Sequence, residues 1–164
     1  MDVGTWEDLG ATGIASKVGS AYNAIDAHLV QTPQGRFFMT FGSFWGNLYQ
    51  VAMANPPTRV ASGAAAYQVI YNNTGSHAVE AGFLYPRDNW YYMFFSSGIC
   101  CGYDTNRVAK GAEYRIHVCR SQAVEGPYLD RNGKNCRRGG GTTVLASHDN
   151  VYGPGGQGVY TDPT

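Results

Sequence analysis

Two stretches decide the fold: NAIDAHLVQTPQGRFFMTFGSF at residues 23–44 and HAVEAGFLYPRDNWYYMFFSSG at residues 77–98, which superpose without a gap. At their offset of 54 residues, Asp26 falls on Glu80, Phe38 on Tyr92, Met39 on Met93 and Phe41 on Phe95. Each begins with a small-apolar-acidic triplet and a short apolar run. A polar turn follows (Thr32 to Arg36; Pro86 to Asn89), then an aromatic run ending in Gly or Ser.

Further strands are expected beyond each copy. Asn47 to Met53 and Tyr114 to Cys119 show partial two-residue alternation, and Tyr67–Ile70 and Thr142–Leu145 read as fourth strands. Four-stranded units in series are propeller blades. No long stretch keeps a helical period with caps at both ends, so the fold class is all-β. A third unit is expected to open at HDNVYGPGGQGVYTD, with Val151 to Tyr160 as its entry and inner strand. Asp2 to Trp6 read as the outer strand of a preceding blade. The 1–164 chain is thus expected to be a single partial β-propeller of about two and a half blades, truncated at both ends, because a propeller closes only as a complete ring.

The first strand of each blade lines the axis, so Asp26 and Glu80 are expected to share one pocket. Two carboxylates in one pocket suit glycoside hydrolysis, in which one group protonates the leaving oxygen while another activates water or attacks. An isolated Asp or Glu is ordinarily solvated surface or a turn former. The repeat is what singles these two out. Glu125, in AVEGPYL, imitates the triplet at Glu80, but Arg138 stands where Met39 and Met93 stand in the true copies, so Glu125 reads as an exposed hairpin residue.

With 12 Lys plus Arg against 12 Asp plus Glu, and no run of one sign, nothing points to nucleic acid or an anionic membrane. Abundant aromatics beside 22 Gly suit a β scaffold that binds a neutral sugar. The start MDVGTWEDLG lacks the basic and apolar regions of a signal peptide, and no run is long enough to span a bilayer. Four cysteines and the sequon Asn72-Asn73-Thr74 nevertheless favour a secreted, extracellular chain. Bridging Cys119 to Cys136 would close a loop contributing roughly 3 kcal/mol. Cys100 and Cys101 are neighbours whose bond needs a strained ring, and buried thiols are the open alternative.

The strings YNAIDAHLV, FGSFWGNLYQVAM, HAVEAGFLY, YYMFFSSGICCGYDT, EYRIHVCRS and VYGPGGQGVYTDPT resemble the fungal endo-1,5-α-L-arabinanases of glycoside hydrolase family 43. The resemblance runs over nearly the whole chain. It implies a five-bladed propeller that cleaves α-1,5-linked arabinan with inversion through three acidic residues. Carried over by position, Glu80 is the general acid and Asp26 the residue that tunes its pKa and orients it. The general base matches no position here, and this polypeptide alone is expected to hydrolyse little linear arabinan. Ala27-His28 departs from the Pro-Asn that usually follows the tuning Asp, a change expected to affect strand entry more than chemistry.

The family's metal-holding His of the last blade likewise has no match. The four His present show no ligand spacing, so neither metal nor other cofactor is expected. Trp45, in the turn Ser43-Phe44-Trp45-Gly46, is a candidate sugar platform, whereas Trp6 and Trp90 read as packing residues. Asn23, Ser97 and Gln157 are candidate donors to sugar hydroxyls. Two other readings remain: a non-catalytic carbohydrate-binding β-protein, and an exo-acting arabinofuranosidase or xylosidase.

Overall fold

The computed structural model describes residues 4–162. Eight strands run in sequence: β1 (His28–Gln31), β2 (Phe37–Phe41), β3 (Leu48–Met53), β4 (Tyr67–Ile70), β5 (Val79–Arg87), β6 (Trp90–Ser97), β7 (Arg115–Ser121) and β8 (Thr142–Leu145). They form two antiparallel four-stranded meanders, β1-β2-β3-β4 and β5-β6-β7-β8. These are the two blades expected from the repeat. Their only helical piece among the described residues is a 3-10 turn at Cys136–Arg138, and none is long and apolar enough to cross a membrane.

Alternation explains why these segments pair. Along β6, Tyr91, Met93 and Phe95 are buried, while Tyr92 and Phe94 on the other face are half-buried. The buried set meets Phe38, Leu48, Val69 and Ile70 of the first sheet, so the main core lies between the blades. Each fully buried side chain of this kind contributes about 1.5–3 kcal/mol. The opposite face of the first sheet, with Phe41, Val51 and Met53, is covered by Ile14, Tyr22 and Val60.

The two blades differ by one residue in register. β2 and β6 keep the offset of 54, Phe37 standing where Tyr91 stands, but β1 and β5 are offset by 55, since Gln31 pairs with Phe37 as Pro86 pairs with Tyr91. Residues 32–36 make the first hairpin loop one residue longer than its counterpart, residues 87–90. By backbone position, therefore, Asp26 matches Ala81 and Ile25 matches Glu80. The left-handed φ of 56° at Asp26 and 53° at Ala81 marks the same place in both blades. The acids are near neighbours in the repeat rather than strict equivalents.

Three further expectations change. Val151 to Tyr160 is not a strand: His148 and Val151 form one bridge, and residues 152–162 run irregularly through Gly153, Gly155 and Gly156. Gly156 N donates to Ser96 Oγ of β6 and Gln157 Nε2 to the main-chain carbonyl of Ala81 in β5, so these groups are satisfied without strand pairing. Asp2 lies outside the described residues, while residues 4–6 form no strand, and Trp6 is 80% exposed instead of packed. Both cysteine pairs are bonded, Cys100–Cys101 and Cys119–Cys136, so the buried-thiol alternative does not hold.

Candidate active site

Asp26 ends the approach to β1, and its left-handed backbone, which Asp tolerates better than most residues, turns the chain into the strand. Glu80 lies on β5 opposite Ser96, just before a bulge that spans Ala81 and Gly82. Bulges re-aim side chains beside functional sites. Gly82 has no room for a side chain, since an added Cβ would lie 2.9 Å from both Thr40 Cγ2 and Leu48 Cδ1. This close approach brings the bulge against the first blade, and Ala81 N donates to Asp26 Oδ2 at 3.2 Å.

Both oxygens of Glu80 are held by hydroxyls. Ser43 Oγ donates to Oε2 at 2.6 Å and Tyr114 OH to Oε1 at 2.9 Å, one from each blade. Ser43 is set by the turn after β2, where Phe44 N donates to Val79 O at 3.0 Å and Ser43 bridges to Glu80. Partial burial pushes the Asp26 carboxyl above the usual aspartate range, with the negative charge of Glu80 adding to the rise and the Ala81 bond opposing it. A shallow cavity of about 270 Å³ opens beside the pair, lined by Asp26, His28, Ala81, Phe83 and Gln157 among others.

Gln157 lines this cavity with its amide bonded to protein groups: Nε2 donates to Ala81 O at 2.6 Å and Oε1 accepts from Ser96 Oγ at 2.9 Å. Trp45 lies two residues past Ser43 and is 43% exposed, so its indole remains available as a platform. Asn23 contributes its backbone carbonyl to the turn before Asp26, accepting from Ile25 N at 3.0 Å. Ser97 is buried on the face of β6 opposite Ser96, so it is Ser96 that flanks Glu80. Ser43, Ser96 and Tyr114 were not singled out by the sequence. The hairpin register would have found Ser96, but no local pattern points to Tyr114, 34 residues from Glu80.

His28 binds the blades together: its ring stacks on Phe83 with centroids 3.8 Å apart and Nε2 lies 3.0 Å from Leu84 O. Burial holds its pKa below the usual histidine value. Trp90 packs under the Arg120 guanidinium, 4.2 Å from the ring centroid. Glu125 is exposed and paired with Arg36 at 2.8 Å. His77 Nδ1 lies 3.0 Å from Asn72 O, His117 lies beside Arg115 and Thr143, and His148 beside Asp149. Among the described residues no three His, Cys, Asp or Glu are grouped to hold a metal ion.

The sequence profile described as "Glycosyl hydrolases family 43" matches residues 1–164. The chain belongs to glycosyl hydrolase family 43. A probable arabinan endo-1,5-alpha-L-arabinosidase A of Emericella nidulans is 57% identical to this family 43 chain over 164 residues, which are 100% of this chain and 50% of that protein. A family 43 endo-arabinanase structure from Bacillus licheniformis superposes with a TM-score of 0.84 at 34% identity, covering 96% of this chain and 51% of the other. A structure of Cellvibrio cellulosa alpha-L-arabinanase complexed with arabinohexaose has a TM-score of 0.74 at 28% identity, covering 87% and 46%. The two sheets are blades of the five-bladed propeller of this family. The chain spans about half the length of the relatives it matches.

Proposed function

We propose that Glu80 is the general acid, and Asp26 the group that tunes and orients it, in a site that cleaves α-1,5-linked arabinan with inversion. The observation that carries this is the meeting of the two carboxylates from successive blades, with Asp26 bonded to the amide next to Glu80 and raised in pKa by partial burial, to which the Glu80 charge adds. Carboxylates delivered to one site by successive blades allow one group to donate a proton while the other orients it. That proton passes from Glu80 to the glycosidic oxygen as the bond to the anomeric carbon breaks. Water attacks from the opposite face, and its activation by a third carboxylate is assigned to no residue of this chain. The relatives' printed activities, and the arabinohexaose bound to one of them, support arabinan as the substrate class.

Grafting residues 1–164 in place of the matching half of the Emericella nidulans relative tests the reading. The graft is expected to release oligosaccharides from linear arabinan, and Glu80→Gln in it to slow release by about 10²–10⁴-fold. Full turnover in the variant would remove Glu80 from the role. A ladder of products indicates endo action, and arabinose alone would indicate exo action. The ungrafted chain is expected to bind arabino-oligosaccharide but hydrolyse it little. We also propose that the protein is secreted, supported by its two disulfides and exposed sequon loop. Recovery of the chain only from cell lysate, with reduced cysteines, would contradict secretion.

A further inference from the structure

The hydroxyl of Tyr114 reaches the acid from the segment that leads into β7. It donates to Glu80 Oε1 at 2.9 Å, and Glu80 stands opposite Ser96 in the β5–β6 hairpin. Ser96 Oγ donates to Gln157 Oε1 at 2.9 Å and accepts from Gly156 N at 2.9 Å. Gln157 Nε2 donates to Ala81 O, and Ala81 N donates to Asp26 Oδ2. Asp26 is thus tied through Ala81 and Gln157 to Ser96, the residue opposite Glu80, while Tyr114 holds the acid from the loop side.

Tyr114 is built to stay in place. Its side chain is buried, its amide donates to Tyr103 OH at 3.0 Å, and its ring lies so close to Gly155 that an added Cβ there would meet Cε1 at 1.9 Å. Burial, together with the charges of Glu80 and Asp26, raises its own pKa, so the phenol stays protonated and able to donate across the working pH range. The titratable groups facing Glu80 are Asp26, from the approach to β1, and Tyr114. The turn after β2 and the segment after β8 contribute Ser43 and Gln157, which do not titrate.

We infer that Tyr114 is a positioning residue that fixes the Glu80 carboxyl plane by the hydrogen bond it donates to Oε1. A hydrogen bond donated to a carboxylate favours its ionised form, so loss of the phenol hydroxyl makes the carboxyl easier to protonate. The alternative, simple packing, predicts no effect of the hydroxyl on titration.

The inference rests on Glu80 being the acid, and two measurements keep the claims separate. In the 164-residue chain, a carbon-13 titration of the Glu80 side chain reads its midpoint without requiring activity. Tyr114→Phe, which keeps the ring, is expected to move that midpoint up by about one pH unit. Gly155→Ala, whose added Cβ would meet Tyr114 Cε1 at 1.9 Å and so displace the phenol, is expected to move it in the same direction by less. In the grafted enzyme, Tyr114→Phe is expected to shift the alkaline limb of the kcat/KM profile upward by a matching amount and to lower kcat about tenfold at the wild-type optimum. An unchanged Glu80 midpoint in a folded Tyr114→Phe chain overturns the inference. If Tyr114→Phe does not fold, an unchanged midpoint in a folded Gly155→Ala chain does so. A shifted midpoint with activity that survives Glu80→Gln overturns only the catalytic reading.

Discussion

Asp26 and Ala81 stand at the same backbone position in successive blades, and the amide of the second donates to the carboxylate of the first at 3.2 Å. The acid one residue before Ala81 is thereby drawn towards Asp26 by a main-chain contact, which side-chain mutation of Glu80 leaves intact. Site geometry is set by the bulge, not by attraction between two like-charged groups.

Asp26→Asn separates function from stability. The folded-state pKa of Asp26 lies above its unfolded value, so its contribution is favourable below the unfolded pKa and is lost as pH rises through the folded pKa. The variant is therefore expected to melt higher than wild type at pH 7, with the gap closing towards pH 3. In the grafted enzyme the same change is expected to lower kcat about a hundredfold. Thermal melts across pH, set beside rates, check both parts. A lower Tm at pH 7 would contradict the charge account.

His117 gives the opposite pH dependence. Burial, reinforced by the Arg115 charge, lowers its pKa to about 4, so its contribution is present above the unfolded value of 6.5 and is lost as pH falls through about 4. Wild-type Tm is expected to decline between those limits, and His117→Gln to flatten that part of the profile. Parallel declines in both proteins would assign acid sensitivity elsewhere.

The Cys119–Cys136 bridge joins β7 to the 3-10 turn beneath the main core, and both cysteines are buried. Replacing both with Ala is expected to cost about 3 kcal/mol, from the entropy the cross-link removes from the unfolded chain. Urea unfolding at equilibrium measures this. An unchanged midpoint would mean that the core holds the segment unaided.

Trp45 is exposed near the Ser43 anchor of Glu80, as a stacking platform requires. Trp45→Ala is expected to weaken arabinohexaose binding about tenfold with little change in Tm. Titration calorimetry on the chain tests it, and an unaltered Kd would return Trp45 to a turn residue.

The blades were legible because strand alternation and turn residues are local. Met93 and Phe95 announced a buried face within five or six residues of sequence, and the structure buries them. Register was less legible: the loop at Thr32–Arg36 accommodates its extra residue without disturbing the pattern on either side, so the repeat aligned Asp26 with Glu80 where hydrogen bonding aligns it with Ala81. Ser97 is a candidate by residue type alone, whereas the β5–β6 pairing sets Ser96 opposite Glu80. The segment after Val151 carried the apolar residues of a strand, but its glycines and the nearby Ser96 and Ala81 acceptors gave it another course. Tyr114 was invisible because its meeting with Glu80 depends on the path of the loop between β6 and β7.

The longer hairpin loop has a geometric consequence at the other end of its blade. Because the loop absorbs the extra residue, β1 and β5 keep equivalent positions, while Asp26 and Glu80 stand one residue, about 3.3 Å of strand, apart along them. The two carboxylates thus leave their blades at different heights, like successive steps of a spiral stair, and the length of a turn at the far end of the strand sets that step.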